Sequence, residues 1–412
     1  MDTNLRLSDI DYYLPDEKIA FFPLDDRDQS KLLVYKDNII IDSKFTHLSD
    51  YLDNNCALIF NDSKVIHARL LLSNKEGAKI ELFLIEPVSP TQDFASSFLQ
   101  TGMVVWKCLI RNAKKFKDTI VFNVEIKGCD GQVESKSGSS VRITAKKGDK
   151  VGDMFLVTFM WDNEAIVFME WLDAFGKIPL PPYIKRDTHT IDEVRYQTIY
   201  AQQDGSVAAP TAGLHFSEFV LQSLKDKKIA FANITLHVSA GTFKPITTDL
   251  VLEHKMHQEQ IIISKDIIKF LLENKHKKIV AVGTTVARTL ESIFIMGAKL
   301  FLNFSQPTKV EQFEIYENRL LEEVSVEDAL LYLQNYLRVN NLQEIRATTS
   351  LMILPHYRHK IAKGLITNFH QPKSTLLLLI SSYLGEQWRR IYLHAINHGY
   401  RFLSYGDSNL YL

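Results

Sequence analysis

Cysteine is scarce in this sequence. Three stand among 412 residues, at Cys56, Cys108 and Cys129. Their number is odd and their spacing unpaired, which excludes a disulfide framework and a cysteine-built zinc site. Long apolar runs are missing too. The longest aliphatic stretch covers residues 376–380, far short of the ~20 residues that a membrane helix needs. The polar start, Met1-Asp2-Thr3-Asn4-Leu5-Arg6, predicts no signal peptide. Charge of one sign is not in excess: 48 Lys and Arg face 49 Asp and Glu, for a net charge of −1. That argues against a surface coated in positive charge for nucleic acid, though not against a local patch. Neither G-x-G-x-x-G nor G-x-x-x-x-G-K-[ST] occurs, so a Rossmann dinucleotide site and a P-loop are unsupported. What remains is ordinary globular composition, with 46% hydrophobic and 24% charged residues, and a length that fits two or three domains. A cytoplasmic protein that neither spans nor binds a membrane is expected.

Two textures alternate along the chain. Residues 57–61 form an apolar, strand-like run that ends in the turn-forming Asn61-Asp62-Ser63. From about 71 to 168 come short apolar runs separated by polar turns, at 79–85, 104–110, 119–126, 141–144 and 155–159. Such regular short strands predict a small β-barrel or sandwich. From about 170 strands and helices alternate. Ser217 caps a helix to about residue 228, a strand follows at 229–238, and a helix is expected at 265–273. A strand at 278–282 precedes a helix opening after Gly283, and a strand at 362–366 precedes helices at 375–384 and 386–398. The fold expected is α/β: a large mixed α/β domain from residues 1–70 and 169–412, interrupted by a small barrel-like β domain at 71–168. Residues 295–346 read as an additional segment with helical spacing at 324–337 and no polar cluster, so they are expected outside any site and dispensable over about 308–340.

In open α/β sheets, sites form at the carboxyl ends of strands, and the unusual polar clusters fall there. Gly205-Ser-Val-Ala-Ala-Pro-Thr211-Ala-Gly-Leu-His215-Phe is a small-residue loop that lets a ligand approach the backbone. Thr235-Leu-His237-Val-Ser-Ala-Gly241-Thr242 is a strand that delivers a histidine and then breaks. Glu253-His254-Lys-Met-His257-Gln-Glu259 spaces two histidines by three, which on a helix puts them on one face. An imidazole pair can bind zinc, but the His-Glu-x-x-His pattern is absent, so no metal is expected. Gly283-Thr284-Thr285-Val-Ala-Arg288-Thr-Leu-Glu291 places a glycine turn and a helix N-terminus after a buried strand, an anion-binding arrangement. Arg288 could grip a carboxylate or phosphate there, or form a surface ion pair with Glu291. Asn368-Phe-His370-Gln-Pro-Lys373-Ser374-Thr opens another helix. Lys373 opposes that helix dipole, so a bound anion is expected to compensate it. Asp407 follows Gly406 as a candidate carboxylate or a plain turn residue. Basic clusters at 114–117, 146–150, 275–278 and 358–363 are solvated loops or, for 358–363 in particular, a phosphate contact.

Together these segments resemble the S-adenosylmethionine:tRNA ribosyltransferase-isomerases of queuosine biosynthesis. The resemblance begins with Leu14-Pro-Asp-Glu-Lys-Ile-Ala, Arg27-Asp-Gln-Ser-Lys-Leu-Leu-Val and Asn61-Asp-Ser-Lys-Val-Ile-His-Ala-Arg69-Leu. It continues through Ile178-Pro-Leu-Pro-Pro-Tyr-Ile and Arg195-Tyr-Gln-Thr-Ile-Tyr-Ala, and all the clusters above follow in the family's order. The chain departs from the family's pattern at Val286-Ala287, Gln371 and Ser408-Asn409, and in the longer spacing that residues 295–346 create. The resemblance implies a large α/β domain with an inserted β-barrel. It also implies transfer and isomerisation of the ribosyl part of S-adenosylmethionine onto 7-aminomethyl-7-deazaguanine at the tRNA wobble position, releasing adenine and methionine. S-adenosylmethionine is then a consumed co-substrate, no metal or further cofactor is needed, tRNA is the partner, and the chain is expected to act as a monomer. Histidine and carboxylate suit the proton transfers: His215 and His237 are the acid–base candidates, with Glu259 or Asp407 as the carboxylate. Arg69, Thr211, Gly241, Thr242, His254, His257, Thr284, Thr285, Arg288, Asn368, His370, Lys373 and Ser374 are assigned to substrate binding, with Arg288 and Lys373 on the methionine carboxylate or a tRNA phosphate. The competing readings are another S-adenosylmethionine enzyme, such as a methyltransferase, and a non-catalytic tRNA-binding protein.

Overall fold

The computed structural model describes residues 4–126, 139–238, 246 and 248–412. The strands, in chain order, are β1 (Lys31–Lys36), β2 (Ile39–Lys44), β3 (Cys56–Asn61), β4 (Ser63–Val65), β5 (Arg69–Ser73), β6 (Lys79–Ser89), β7 (Met103–Arg111), β8 (Thr119–Ile126) and β9 (Ser139–Val151). They continue with β10 (Met154–Trp161), β11 (Gln203–Ser206), β12 (Ala230–His237), β13 (Glu259–Ser264), β14 (Lys278–Val282), β15 (Lys309–Val310), β16 (Glu344–Thr349), β17 (Ala362–Asn368) and β18 (Ser408–Tyr411). A ten-stranded mixed sheet runs in the order β15-β16-β13-β12-β3-β14-β17-β18-β1-β2.

Its centre is four parallel strands, β12, β3, β14 and β17. Parallel strands covered on both faces read as continuous apolar runs, and every residue of β3 is buried. Alternation still divides the side chains between the two faces. Ala57 and Ile59 join Leu290 and Ile293 of the helix Thr284–Phe301 in one core. Leu58 and Phe60 join Val220 and Leu224 of the helix Glu218–Asp226 in another. Ser217 caps that second helix by accepting from the Val220 backbone N–H.

The six strands β5-β6-β7-β10-β9-β8 make a separate antiparallel sheet whose outer strands, β5 and β8, approach each other, so that it nearly closes into a barrel. Its core holds Trp106, Phe159, Phe168 and Trp171, the last two from the helix Phe168–Phe175. The architecture is therefore mixed α/β with a small barrel-like sheet formed between β4 and β11, as the alternating textures predict.

The segment 295–346 corrects an expectation. Its first residues complete the helix Thr284–Phe301, and its own helix Val326–Val339 packs Ala329, Leu330, Leu333 and Leu337 into the same core. Removing residues 308–340 would strip one side of a helix that is buried from Thr284 to Lys299, so the segment is part of the main core rather than an appendage to it. The two helices touch at Gly297, where an added Cβ would lie 2.2 Å from the Ala329 carbonyl oxygen. Gly297→Val should therefore force the helices apart and cost about 1–3 kcal/mol. An unchanged midpoint in thermal unfolding would contradict this packing.

Candidate active site

Beyond β3 the next parallel strand in the chain, β12, lies on one side, whereas β17 follows β14 on the other. Such a reversal opens a crevice at the carboxyl ends of the strands. A cleft lies at this edge, lined by Thr211, Thr284, Thr285, Asn368, His370 and Ser374 among others. Gly283 ends β14 with a φ of 104° and caps the helix that begins at Thr284. A residue with a side chain is strained there, so the glycine allows the strand to turn into the helix and aim its N-terminus at the cleft.

Three buried histidines surround this space. His370 lines the cleft, its Nε2 2.9 Å from Thr367 Oγ1. Its backbone is tied at both ends: the N–H donates to Tyr392 Oη, and the carbonyl accepts from Tyr12 Oη. His215 stands one side chain behind the cleft. Asn368 Nδ2 lies 3.1 Å from its Nε2, and Ser30 Oγ lies 2.8 Å from its Nδ1. An amide N–H only donates, so Nε2 accepts and Nδ1 carries the proton. Burial pushes both imidazoles down to about 3, with Arg401 and Arg27 adding to the effect at His215. His237 closes β12 beside the cleft residue Val238, and burial lowers it to about 4. Its ring lies 5.0 Å from that of Phe94, which comes from a short helix between β6 and β7. Its Nδ1 has no hydrogen-bond partner and faces Gly205, where a Cβ would sit 2.5 Å away. All three are therefore neutral at pH 7, and His237 alone of the three has a buried ring nitrogen without a partner.

Glu259, Arg288 and His257 form a second polar group. Arg288 is buried and donates to Glu259 Oε2, and His257 Nε2 lies 3.2 Å from Glu259 Oε1. The surface pair with Glu291 does not form. The Glu291 carboxylate instead accepts from the backbone N–H groups of Lys360, Ile361 and Ala362 and from Tyr357 Oη. His254 and His257 do not share a helix face. Only Val251–Glu253 is helical there, as a single 3-10 turn, and His254 turns its carbonyl to the Gln312 amide.

The remaining expectations divide. The Lys373 ammonium lies 3.2 Å from Asp11, and the residue has a left-handed φ of 58°. Asp407 is occupied structurally, accepting from the backbone N–H groups of Lys31 and Arg401 and from the Arg401 guanidinium. Arg69 pairs with Glu81 and donates to Thr188 Oγ1, beside the barrel-like sheet and outside the lining of the cleft. The basic cluster 358–363 precedes β17, whereas the cleft lies at the other end of that strand. At about 3.3 Å per residue this is roughly 20 Å away, so the cluster does not border the site. Gly241 and Thr242 lie outside the described residues. Among the described residues, one group has a metal-like composition, Asp42 with His394 and His398. It sits at the β2 edge, where the Tyr400 hydroxyl already donates to Asp42.

The family model for the queuosine biosynthesis protein matches residues 7–411. The chain belongs to this family. A relative from Francisella tularensis subsp. mediasiatica, named S-adenosylmethionine:tRNA ribosyltransferase-isomerase, is 37% identical, covering 98% of this chain and 99% of the relative. Relatives of the same name from Trichlorobacter lovleyi and Sulfurihydrogenibium are 32% and 35% identical, each over 98% of this chain and 99% of their own. The solved crystal structure of an S-adenosylmethionine tRNA ribosyltransferase from Thermotoga maritima is 25% identical over 98% of this chain and 99% of that one, with a TM-score of 0.45. This is thus a family of transferase-isomerases, and the chain is an enzyme of that class.

For this member of the family, the cleft gathers Thr211, Thr284, Thr285, Asn368, His370 and Ser374, with His215 one side chain behind it and His237 next to its lining residue Val238. Tyr183 and Ser404, which line the cleft and bond to each other, carry no role in the sequence analysis. Tyr183 lies in the Pro-Pro-Tyr stretch quoted for the resemblance. A tyrosine after two prolines, where the chain is stiff, was the available signal.

Proposed function

We propose that this chain transfers and isomerises the ribosyl moiety of S-adenosylmethionine onto 7-aminomethyl-7-deazaguanine at the tRNA wobble position. The products are epoxyqueuosine-tRNA, adenine and methionine. The chain acts as a cytoplasmic monomer and needs no metal or further cofactor. Among the described residues, no helix is long and apolar enough to cross a membrane.

The observation that carries this reading is a cleft at the carboxyl ends of the strands, bordered by hydroxyls, an amide and the neutral His370, with neutral His215 and His237 just behind its lining. The reaction must remove a proton from the 5′-carbon, which the adjoining sulfonium acidifies. It must deliver a proton to adenine as its bond to ribose breaks, and it must keep the attacking amine neutral. Neutral imidazole can accept a proton and pass it on. Among the described residues, none bonds to His237 Nδ1, so His237 is the acid–base group of this reading. His370 and His215, each already hydrogen-bonded, hold Thr367 and Asn368 toward the substrate. The threonines at the N-terminus of the helix Thr284–Phe301 offer hydroxyls and backbone N–H groups to the carboxylate of the methionine part.

The test follows two labels. S-adenosylmethionine labelled in the ribose should leave its label in precursor tRNA, with free adenine in equal amount. Label in the methyl group should leave as methionine. Methyl label in the tRNA, or S-adenosylhomocysteine as a product, overturns the reading in favour of a methyltransferase.

A further inference from the structure

A second, small pocket adjoins the cleft and shares Ser404 with it. Three arginines line it, Arg27, Arg195 and Arg401, together with Ser30 and His215. They come from distant parts of the chain: a 3-10 turn at Arg27–Gln29, the end of the helix Thr190–Arg195, and the loop before β18. All three are half-buried. Arg401 has a carboxylate partner, Asp407, at 3.3 Å. Among the described residues, Arg27 and Arg195 donate to backbone carbonyls, those of Gln197 at 3.2 Å and Asp25 at 2.6 Å, and neither forms a salt bridge. Burial lowers the affinity of Arg27 for its proton and the nearby Arg195 charge lowers it further, while Tyr200 and Asp28 oppose this more weakly. The Asp28 carboxylate accepts from Ser217 Oγ.

Like charges held together in a half-buried place cost free energy unless an anion joins them. Guanidinium forks match phosphate oxygens in geometry as well as charge. The wall toward the cleft is His215, held between Ser30 and Asn368. A group in this pocket therefore lies one side chain from the reacting space.

We propose that the arginine pocket is a phosphate subsite that takes a backbone phosphate of the RNA, beside the nucleotide whose base enters the cleft. This rests on the reading of the substrate as RNA. The pocket positions the strand, and the cleft handles the base.

The test is RNA binding by Arg27→Gln and Arg195→Gln at several salt concentrations. Each variant should bind tRNA about tenfold more weakly at low salt, with a log–log salt slope shallower by about 0.7–0.9. Affinity for S-adenosylmethionine, measured by equilibrium dialysis, should stay within about twofold. Arg27→Lys should keep the slope, because it keeps the charge, while losing part of the affinity. Unchanged tRNA affinity and slope in both glutamine variants overturns the proposal. So does lost S-adenosylmethionine affinity with unchanged tRNA binding, which would place that molecule's carboxylate in the pocket. If both variants fail to fold, inorganic phosphate should protect Arg27 and Arg195 of the unaltered protein from phenylglyoxal, and lack of protection overturns the proposal. These readouts involve no turnover. Failure of the labelling experiment with salt-dependent protection intact would remove the reaction and leave the subsite.

Discussion

Taken from pH 7 to pH 5, the protein should lose several kcal/mol of unfolding free energy. Four histidines cause this. Burial lowers His215, His359 and His370 to about 3 and His237 to about 4. In the unfolded chain the same imidazoles titrate near about 6.5. As pH falls below that value the unfolded chain takes up protons while the folded protein does not. Their contribution is thus present above about pH 6.5 and is lost as pH falls toward the folded values. Each proton is worth about 1.4 kcal/mol per pH unit, so four together approach about 5 kcal/mol per unit between about pH 6 and 4. Urea unfolding at pH 7, 6 and 5 measures it. A stability that is flat across this window would show that the rings are charged or solvated in the folded protein. His359→Gln offers a control. Its ring stacks on Tyr383 at 3.8 Å and its Nε2 lies 2.7 Å from Ser382 Oγ, and it does not line the cleft. Removing it should lessen the slope by one proton's share and leave turnover nearly unchanged.

His237→Gln should reduce turnover by about 10²–10⁴-fold, the range expected when a proton-transfer group is lost. The buried, unpartnered Nδ1 motivates this, since orphaned polar atoms are rare in folded interiors. Glutamine keeps the volume and a polar end but cannot accept and return a proton at neutral pH. The KM for S-adenosylmethionine should move far less than kcat, because proton transfer belongs to the transition state. Adenine release and ribosyl transfer should slow together if proton removal precedes both. Near-normal kcat in a folded His237→Gln protein sinks the assignment. Lost transfer with undiminished adenine release would move the histidine to a later step. Gly205 belongs to the same feature, because a side chain there would occupy the space the His237 ring needs.

Much of the fold was legible because its signals are local. The strand expected at 278–282 and the helix expected at 265–273 have those bounds in the structure. A continuous apolar run and a Ser264 cap state them within a few residues. The spacing of His254 and His257 would put them on one face of a helix, but Gln312 claims backbone groups at both His254 and Met256, and that partner lies more than fifty residues away in the chain.

The sequence by itself determined the α/β alternation, the inserted barrel-like sheet, the family and six of the polar residues that line the cleft, since these sit directly on strand ends and helix starts whose positions follow from local pattern. Tertiary structure decided what each charge meets. Arg288 could have paired with Glu291 on its own helix, yet it meets Glu259 from β13, while Glu291 turns to the backbone ahead of β17. Lys373 meets Asp11 from the opposite end of the chain. Three arginines spread between residues 27 and 401 come to line one pocket. Hydrophobic periodicity is written within one turn or one strand, whereas ion pairs and anion sites depend on which strands become neighbours. The sheet order that makes them neighbours arises from packing across the whole chain.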